Sequence, residues 1–495
     1  MRLTDLLGGA EKGVQLDPAL RNIEIRGLSA DSRSVEPGFL FAAIPGGRAD
    51  GRHFIDDAID RGAVAVLAPP GTESGPSCGR VPTLVDENPR RRLALMAARF
   101  YDRQPEHIAA VTGTNGKTSV VSFLRQIWTI LGRPAASLGT LGLEGAGSDA
   151  PASLTTPDPV ALHRMLADID ESGISRLAIE ASSHGLDQFR LDGVRVTAAA
   201  FTNLTRDHLD YHGTASAYLA AKMRLFGEVM TPGGRAVLNA DAPESEALAA
   251  LCRTRGHKVL TYGRAGRDVR LIEVEAKPDS QRLAVEVLGT RHIIKLPLVG
   301  AFQASNALCA LALALSDDAE AAAAIGALGR LRPVRGRLER AAQTMAGAPV
   351  YVDYAHTPDA LSSVLAALRA HAGRNLVVVF GCGGDRDPGK RPEMGAIAEA
   401  LADRAFVTDD NPRREDPASI RRAILATCPS AVEIGDRATA IRTAIAGLEP
   451  GDVLVLAGKG HESGQIVGDT VRPFDDAEMA RHAVKEIAAS EEARS

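Results

Sequence analysis

The chain has 495 residues, 45% of them hydrophobic and 24% charged, and this length exceeds what one hydrophobic core usually supports. The formal net charge of -5 argues against a broad surface for nucleic acid or anionic membranes. Neither a signal-peptide core nor an uninterrupted apolar window of roughly 18 residues occurs, which predicts a cytoplasmic protein without membrane insertion. Five widely spaced cysteines without metal-ligand spacing are expected to be reduced thiols: Cys78, Cys252, Cys309, Cys382 and Cys428.

The first hundred residues predict a small α/β unit. Apolar runs at 39–44 and 63–67 are typical of strands, and residues 54–61 between them have helical spacing. A second helix, from Arg90 to Tyr101, is predicted to begin after Asn88 as its cap and Pro89 in its first turn. We interpret residues 102–105 as the first linker.

The remainder of the chain alternates strand-like and helix-like runs, which indicates largely parallel sheets covered by helices. In the middle part, strands are predicted at 177–180, 198–201 and 235–238, an antiparallel extension at 283–287 and 293–296, and a helix at 306–328. After residues 331–333 the alternation restarts, with strands predicted at 350–353, 376–380, 405–408 and 452–456. The pattern predicts three domains: 1–104, 105–332 and 333–495.

The stretch around residues 111–119 predicts a phosphate-binding loop between a strand and a helix. Its residues are Gly113, Thr114, Asn115, Gly116, Lys117, Thr118 and Ser119. Glycines let backbone N–H groups approach phosphate, a helix N-terminus favours anions, the lysine neutralises phosphate oxygens and the hydroxyl can bind Mg²⁺. Only two residues separate the glycines, whereas the general P-loop places four there. The alternative is a glycine turn before an amphipathic helix.

Four further features carry candidate chemistry. Glu180 ends a predicted strand, where it could bind Mg²⁺ or cap a helix. The loop at 202–213 gathers acids, histidines and hydroxyls, and its alternative is a solvated turn. Lys222 lies on a helix predicted at 216–226, where a lysine is ordinarily solvated. The segment 409–417 follows a strand, and its proline turn can present Arg413 to a carboxylate.

With these segments in place, the whole chain resembles the Mur ligases of peptidoglycan synthesis, in their three-domain order. The motifs are Thr112 to Thr118, Glu180 to Leu186, Asp207 to Gly213, and Tyr354 to Pro358. Within the family, the chain resembles the members that join meso-2,6-diaminopimelate to UDP-N-acetylmuramoyl-L-alanyl-D-glutamate. The resemblance implies a small N-terminal UDP-binding domain, a central P-loop-type ATPase domain and a C-terminal Rossmann-like domain.

The resemblance also implies roles for individual residues. The implied catalytic residues are Lys117, Lys222, His208 and Glu180. The implied metal ligands are Thr118, Glu180, His208 and a CO₂-derived carbamate on Lys222, with two Mg²⁺ ions. The ATP contacts add Asn306, Arg337 and Asp353 to the loop residues 113–119. The UDP-substrate contacts are Ala30, Ser32, the loop 47–52, Thr155, Thr156, Ser182, Gln188 and Arg190. The diaminopimelate contacts are Arg386, Asp410, Asn411, Pro412, Arg413, Gly458 and Glu462.

The implied activity is ATP-dependent amide formation through an acyl phosphate, in a monomer without a nucleic-acid partner. Two positions depart from the family pattern: Leu154 replaces a common asparagine, and Ala30 replaces a larger residue. The alternatives are a lysine-adding or D-alanyl-D-alanine-adding relative, folylpolyglutamate synthase, and an ATP-responsive binding protein without catalysis.

Overall fold

Three sheets, each covered by helices, follow one another along the chain. The computed structural model describes residues 1–8, 22–46, 49–72, 79–147 and 154–492. The first unit contains a four-stranded parallel sheet in the order β1-β2-β3-β4. Its elements are α1 (Leu3–Leu7), β1 (Gly27–Ser29), β2 (Phe39–Ala42), α2 (Ile55–Asp60), β3 (Ala65–Ala68), β4 (Thr83–Val85) and α3 (Pro89–Tyr101).

The second unit is built on a ten-stranded sheet in the order β14-β13-β12-β11-β10-β9-β5-β8-β6-β7. Its strands are β5 (His107–Thr112), β6 (Ala135–Gly139), β7 (Gly142–Glu144), β8 (Arg176–Glu180), β9 (Val196–Phe201), β10 (Met230–Asn239), β11 (Lys258–Gly263), β12 (Val269–Lys277), β13 (Ser280–Val287) and β14 (Thr290–Leu296). Its helices are α4 (Lys117–Ile130), α5 (Pro159–Glu171), α6 (Ser183–Asp187), α7 (Leu209–His212), α8 (Ala215–Arg224), α9 (Ser245–Thr254), α10 (Ala301–Ser316) and α11 (Ala321–Leu328).

The central strand β5 shows why this sheet has a core on each face. Successive side chains of a strand point to opposite faces. Ile108 and Ala110 therefore pack in one hydrophobic cluster, whereas Ala109 and Val111 pack in another. Burial on both faces explains why β5 reads as a continuous apolar run. The predicted phosphate-binding loop follows this strand directly.

The third unit has a six-stranded sheet in the order β15-β16-β20-β17-β18-β19, in which only the β15 pairing is antiparallel. Its strands are β15 (Glu339–Gln343), β16 (Pro349–Asp353), β17 (Leu376–Phe380), β18 (Arg404–Val407), β19 (Val432–Glu433) and β20 (Val453–Ala457), with a separate hairpin of β21 (Gly464–Val467) and β22 (Thr470–Pro473). Its helices are α12 (Pro358–Arg369), α13 (Lys390–Leu401), α14 (Pro417–Leu425), α15 (Arg437–Ala446) and α16 (Asp476–Glu492). The three-domain α/β prediction is confirmed.

The predicted elements differ from the structure by a few residues at most of their ends, and more clearly at three places. The predicted helix 306–328 is two helices, α10 and α11, because Asp317 pairs with Arg133 and Arg176, and Glu320 caps α11. The predicted helix 216–226 begins at Ala215, and after Arg224 it continues as a π-helical turn. The predicted loop 202–213 contains the short helix α7.

Two sequence expectations concern cysteines and membranes. Cys252, Cys309, Cys382 and Cys428 are free and buried, and Cys78 lies outside the described residues. None of the helices in the described ranges is long and apolar enough to cross a membrane.

A buried histidine on α5 makes the stability of the fold depend on pH. His163 is 1% exposed, and its Nε2–H donates to the Asp192 carbonyl over 3.2 Å. Burial lowers its pKa from 6.5 to about 4, so between these values the unfolded chain binds the extra proton. Stability is therefore lost as the pH falls below 6.5.

We expect His163→Gln to remove this contribution, which amounts to about 2–3 kcal/mol of unfolding free energy between pH 7 and pH 4.5. Urea unfolding at the two pH values measures it, with the exposed His482→Gln as control. An unchanged pH dependence in His163→Gln contradicts the prediction.

Candidate functional site

The loop between β5 and α4 leaves its backbone open to an anion. Gly113 and Gly116 have φ values of 143° and 90°, which residues other than glycine rarely adopt. A Cβ atom at Gly113 would lie 1.9 Å from Thr202 Oγ1. Lys117 is the first residue of α4, and its Nζ donates to the carbonyls of Gly113 and Thr114 over 3.0 and 2.8 Å. Gly113, Gly116, the N-terminus of α4 and the Lys117 amine therefore surround one space, and we call residues 113–119 the cradle.

The second glycine of this cradle gives a testable prediction. A Cβ atom at Gly116 would lie 2.4 Å from Asn306 Oδ1, in addition to the strain of the left-handed backbone. We expect Gly116→Ala to raise the KM for ATP by about 10-fold or more, because the clash, added to backbone strain of about 1–2 kcal/mol, displaces the loop at the cradle itself. Initial rates at varied ATP concentration measure the effect.

A matched control lies at the other end of the same helix. Gly132 has a φ of 75°, but a Cβ atom there would meet nothing within 4 Å. Gly132→Ala should leave the KM for ATP within about threefold, because it adds backbone strain without the clash. Equal KM values for the two variants would contradict the role assigned to the cradle.

A carboxylate and an amine lie beside the cradle. Glu180 is 1% exposed, and its Oε1 and Oε2 accept from the backbone N–H and the hydroxyl of Thr140 over 2.7 and 3.2 Å. Lys222 is also 1% exposed; its Nζ donates to the Gly113 carbonyl over 2.7 Å and lies 4.2 Å from the centre of the Tyr218 ring. The helix α8 therefore aims Lys222 inward, and the alternative of a solvated lysine does not hold.

Burial has a chemical consequence for both lysines of this site. Desolvation and the nearby charge of Lys117 lower the pKa of Lys222 well below its ordinary 10.5. Desolvation also lowers the pKa of Lys117, opposed by Glu180 and Asp207. A lowered pKa favours the neutral amine, which is the nucleophilic form.

Aromatic and imidazole rings surround these amines. His208 precedes α7 with a φ of 52°, and its ring centre lies 4.7 Å from that of His184. Tyr211 and His212 extend the cluster, and His212 also contacts Tyr218. Burial lowers the pKa of His208 below 6.5, and that of His184 to about 4. Neutral imidazoles have lone pairs that can bind a metal ion.

Two cavities meet above these residues. The first has a volume of about 470 Å³ and the second about 960 Å³. Asp207, His208, Tyr354, His356, Thr357 and Asp359 line both. The first cavity brings together Thr114, Asn115, Gly116, Lys117, Thr118, Ser119, Thr155, Glu180, Ser182, His208, Lys222, Asn306, Arg337 and Asp353. The second brings together His208, Arg386, Asp410, Asn411, Arg413, Gly458 and Glu462.

The second and third units contact each other at the first cavity. Arg337 Nη2 donates to Thr118 Oγ1 over 3.2 Å, and its guanidinium carbon lies 4.5 Å from the Tyr354 ring centre. Asp353 Oδ2 accepts from the Leu338 N–H, and burial raises the pKa of this carboxyl to about 6. A positive side chain of the third unit therefore reaches the predicted phosphate cradle of the second.

Residues on the far side of Glu180 form a chain of hydrogen bonds. Thr156 Oγ1 donates to the Glu180 carbonyl over 2.9 Å and lies 3.0 Å from Ser182 Oγ. Arg190 donates to the Thr156 carbonyl over 2.7 Å and to Gln188 Oε1 over 2.6 Å. Thr156, Gln188 and Arg190 are outside the described linings of both cavities. Thr155 Oγ1 lies 3.2 Å from Thr140 Oγ1.

The second cavity has a polar wall formed by residues that follow β18 and β20. Asn411 Nδ2 donates to Glu462 Oε2 over 2.8 Å. The Asp410 carboxylate lies against Gly458, because a Cβ atom at that glycine would be 2.6 Å from Asp410 Oδ2. Arg413 has a φ of 52° and donates from Nη1 to the Gly384 carbonyl over 2.8 Å. This wall therefore exposes both acidic and basic side chains to the second cavity.

Some predicted residues stand apart from the two cavities. Ala30 is exposed and Ser32 is buried beside β1, in the first unit. Of the loop 47–52, Gly47 and Arg48 lie outside the described residues. Gly113 and Pro412 lie in backbone turns and do not line either cavity. Leu154 is 47% exposed.

Thr140, Asp359 and Lys459 are among the residues at the site that were not predicted from the sequence. Thr140 holds both oxygens of Glu180, Asp359 accepts from Asn115 Nδ2 over 3.0 Å, and Lys459 is buried behind the second cavity. Lys459 had a signal, because it stands between two glycines directly after the apolar strand β20. The other two carry no local signal.

Comparison with known proteins gives consistent matches along the chain. Residues 24–101 match "Mur ligase family, catalytic domain", residues 111–314 match "Mur ligase middle domain", and residues 336–460 match "Mur ligase, glutamate ligase domain". A protein of Bradyrhizobium diazoefficiens, named UDP-N-acetylmuramoyl-L-alanyl-D-glutamate--2,6-diaminopimelate ligase, is 52% identical over 98% of this chain and 99% of its own. A protein of the same name from Caulobacter vibrioides is 53% identical over 91% and 94%.

A solved structure is also similar to this chain. It is described by that enzyme name, is 32% identical in sequence and superposes with a TM-score of 0.72. The match covers 98% of this chain and 99% of that one.

Proposed function

Because the chain belongs to the Mur ligase family, we propose that it joins meso-2,6-diaminopimelate to the D-glutamate γ-carboxylate of UDP-N-acetylmuramoyl-L-alanyl-D-glutamate, with conversion of ATP to ADP and phosphate. The observation that carries this proposal is the junction of the two cavities. A phosphate cradle with Lys117 opens into one of them, and a wall with Arg413 and Glu462 opens into the other. An activated carboxylate and an amine can meet between them.

The donor set beside the cradle suits magnesium if Lys222 is modified. The family uses ATP and Mg²⁺. No group of three His, Cys, Asp or Glu side chains that could hold a metal occurs in the described part of the chain. A buried neutral amine can react with CO₂, which gives an anionic oxygen ligand. We therefore infer that Thr118, Glu180, His208 and a carbamate on Lys222 hold two Mg²⁺ ions, which offset negative charge on the transferring phosphoryl group.

The side chains around the cradle position the reacting groups. Lys117 and the backbone N–H groups of the loop bind the phosphate oxygens, and Arg337 reaches the same place from the third unit. The carboxylate attacks the terminal phosphorus, and an acyl phosphate and ADP result. The amine then attacks the carbonyl carbon and phosphate leaves. Asn306, at 8% exposure beside Gly116, is assigned to the adenine side.

The second cavity accounts for the choice of amino acid. Diaminopimelate carries a distal carboxylate and a distal ammonium, whereas lysine carries only the ammonium. Arg413 and Arg386 offer cations, and Asp410 and Glu462 offer acceptors. Arginine binds a carboxylate through two parallel hydrogen bonds, so its loss of a partner would penalise lysine.

The UDP substrate is assigned to the segment that links Glu180 to the first unit. Thr155, Thr156, Ser182, Gln188 and Arg190 form its hydrogen-bonded part, and Arg91 of α3 pairs with Asp192 over 2.9 Å. We place Ser32, Ala30 and the loop 47–52 on the UDP side.

The proposed domain boundaries follow residues 104 and 332, and the proposed state is a cytoplasmic monomer.

A product assay tests the proposal. The enzyme is incubated with ATP, Mg²⁺, UDP-N-acetylmuramoyl-L-alanyl-D-glutamate and meso-diaminopimelate. Mass spectrometry should detect the UDP-tripeptide together with one ADP per product. ATP binding without any product would instead favour the binding protein without catalysis.

A further inference from the structure

A second buried lysine lies behind the wall of the larger cavity. Lys459 is 0% exposed and follows β20. Its Nζ donates to Asn411 Oδ1 over 3.1 Å and to Glu462 Oε2 over 3.3 Å. It is not among the described lining residues, so it acts on a ligand through these two side chains.

Lys459 determines how the Asn411 amide is oriented. Asn411 Oδ1 accepts from Lys459 Nζ and also from the Ile466 N–H over 2.9 Å. Reversing the amide would place its NH₂ group against two other donors, which is unfavourable. Its Nδ2 therefore faces Glu462 Oε2, over 2.8 Å.

In the same arrangement, one carboxylate oxygen of Glu462 bonds to the protein and the other can accept from a ligand. Oε2 accepts from Asn411 Nδ2 and Lys459 Nζ. No hydrogen bond to Oε1 occurs from the residues that the structure describes, and Glu462 lines the cavity. Because a carboxylate accepts hydrogen bonds and an ammonium only donates them, this free oxygen suits a cationic nitrogen.

We propose that Lys459 is a positioning residue that fixes Asn411 and Glu462 as the receptor for the distal ammonium of the incoming diamino acid. The inference rests on the proposed function and extends it to a residue outside the cavity lining. Without Lys459, Asn411 Oδ1 keeps only the Ile466 N–H donor and Glu462 Oε2 keeps only the Asn411 Nδ2 donor, so both side chains are held less firmly. The distal carboxylate, assigned to Arg413, should be unaffected.

A substrate pair separates this role from a purely structural one. L-2-Aminopimelate retains the reacting amine and the distal carboxylate of diaminopimelate but lacks the distal amine. General damage to the fold would slow both substrates equally. Loss of the ammonium receptor should slow only diaminopimelate.

The test measures kcat and KM for both substrates in the full-length enzyme with Lys459→Met. We expect kcat/KM for meso-diaminopimelate to fall about 10- to 100-fold, mainly through KM, because hydrogen bonds to charged groups have this strength. The value for L-2-aminopimelate should change by less than about threefold. Lys459→Gln, which keeps a donor in the buried position, provides a second variant if methionine disturbs folding. The exposed Lys485→Met is the matched control.

The outcomes are distinguishable from failure of the proposed function. An unmodified enzyme that is inactive with diaminopimelate would refute the function and this inference together. An active enzyme whose Lys459→Met variant keeps the full preference for diaminopimelate, or whose two Lys459 variants both lose the two substrates equally, would overturn the inference alone.

Discussion

Replacement of Lys222 by alanine is expected to lower the rate of ligation by about 10²- to 10³-fold, the effect typical of removing one group that stabilises charge in a transition state. The side chain is buried beside the cradle, 2.7 Å from the Gly113 carbonyl, and its lowered pKa favours reaction with CO₂. Rates of phosphate release at saturating substrates measure the loss.

The modification itself has a direct readout. With ¹³C-labelled bicarbonate, the unmodified enzyme should show a carbamate carbon signal by NMR, and Lys222→Ala should lack it. Lys258→Ala, an exposed lysine of the same unit, should keep both the signal and the rate. A Lys222→Ala enzyme within about threefold of the unmodified rate would contradict the assigned role.

Replacement of Arg413 by alanine is expected to lower kcat/KM for meso-diaminopimelate by about 10²-fold or more, and to raise it for L-lysine, because the unpaired guanidinium that penalises lysine is gone. The guanidinium lines the larger cavity and is the proposed partner of the distal carboxylate. Arginine already occupies a left-handed backbone there, with a φ of 52°, so alanine adds no new strain. Selectivity is measured as the ratio of kcat/KM for the two amino acids.

The neighbouring arginine provides the control for this variant. Arg414 pairs with Asp469 over 2.7 Å at the surface, where both side chains are exposed. Arg414→Ala should leave the selectivity unchanged, because exposed ion pairs contribute little. Unchanged use of diaminopimelate by Arg413→Ala would refute the assignment.

Local sequence signals predicted much of the fold. The strand at 376–380 was predicted with its exact bounds, because five apolar residues are followed by a glycine turn. The start of α3 was predicted from Asn88, whose side chain accepts from the Arg91 N–H. The Ala-rich run 306–328 misled the prediction, because the break at Asp317 depends on arginines far away in the sequence.

The candidate site was predicted less completely, for a physical reason. The phosphate cradle is a local motif, so its residues could be recognised together. The burial of Lys222 depends on Gly113, 109 residues away, and the contacts of Lys459 depend on Asn411, 48 residues away. Such contacts form only when sheets and loops pack, and no spacing in the sequence reports them.

The measurement that tests the account most directly is phosphate release from ATP with UDP-N-acetylmuramoyl-L-alanyl-D-glutamate, with meso-diaminopimelate and L-lysine supplied in parallel. The account predicts rapid release with diaminopimelate and a rate at least about 10²-fold lower with lysine. Comparable rates with lysine would contradict the role of the Arg413 wall, and no release with either amino acid would contradict the ligase itself.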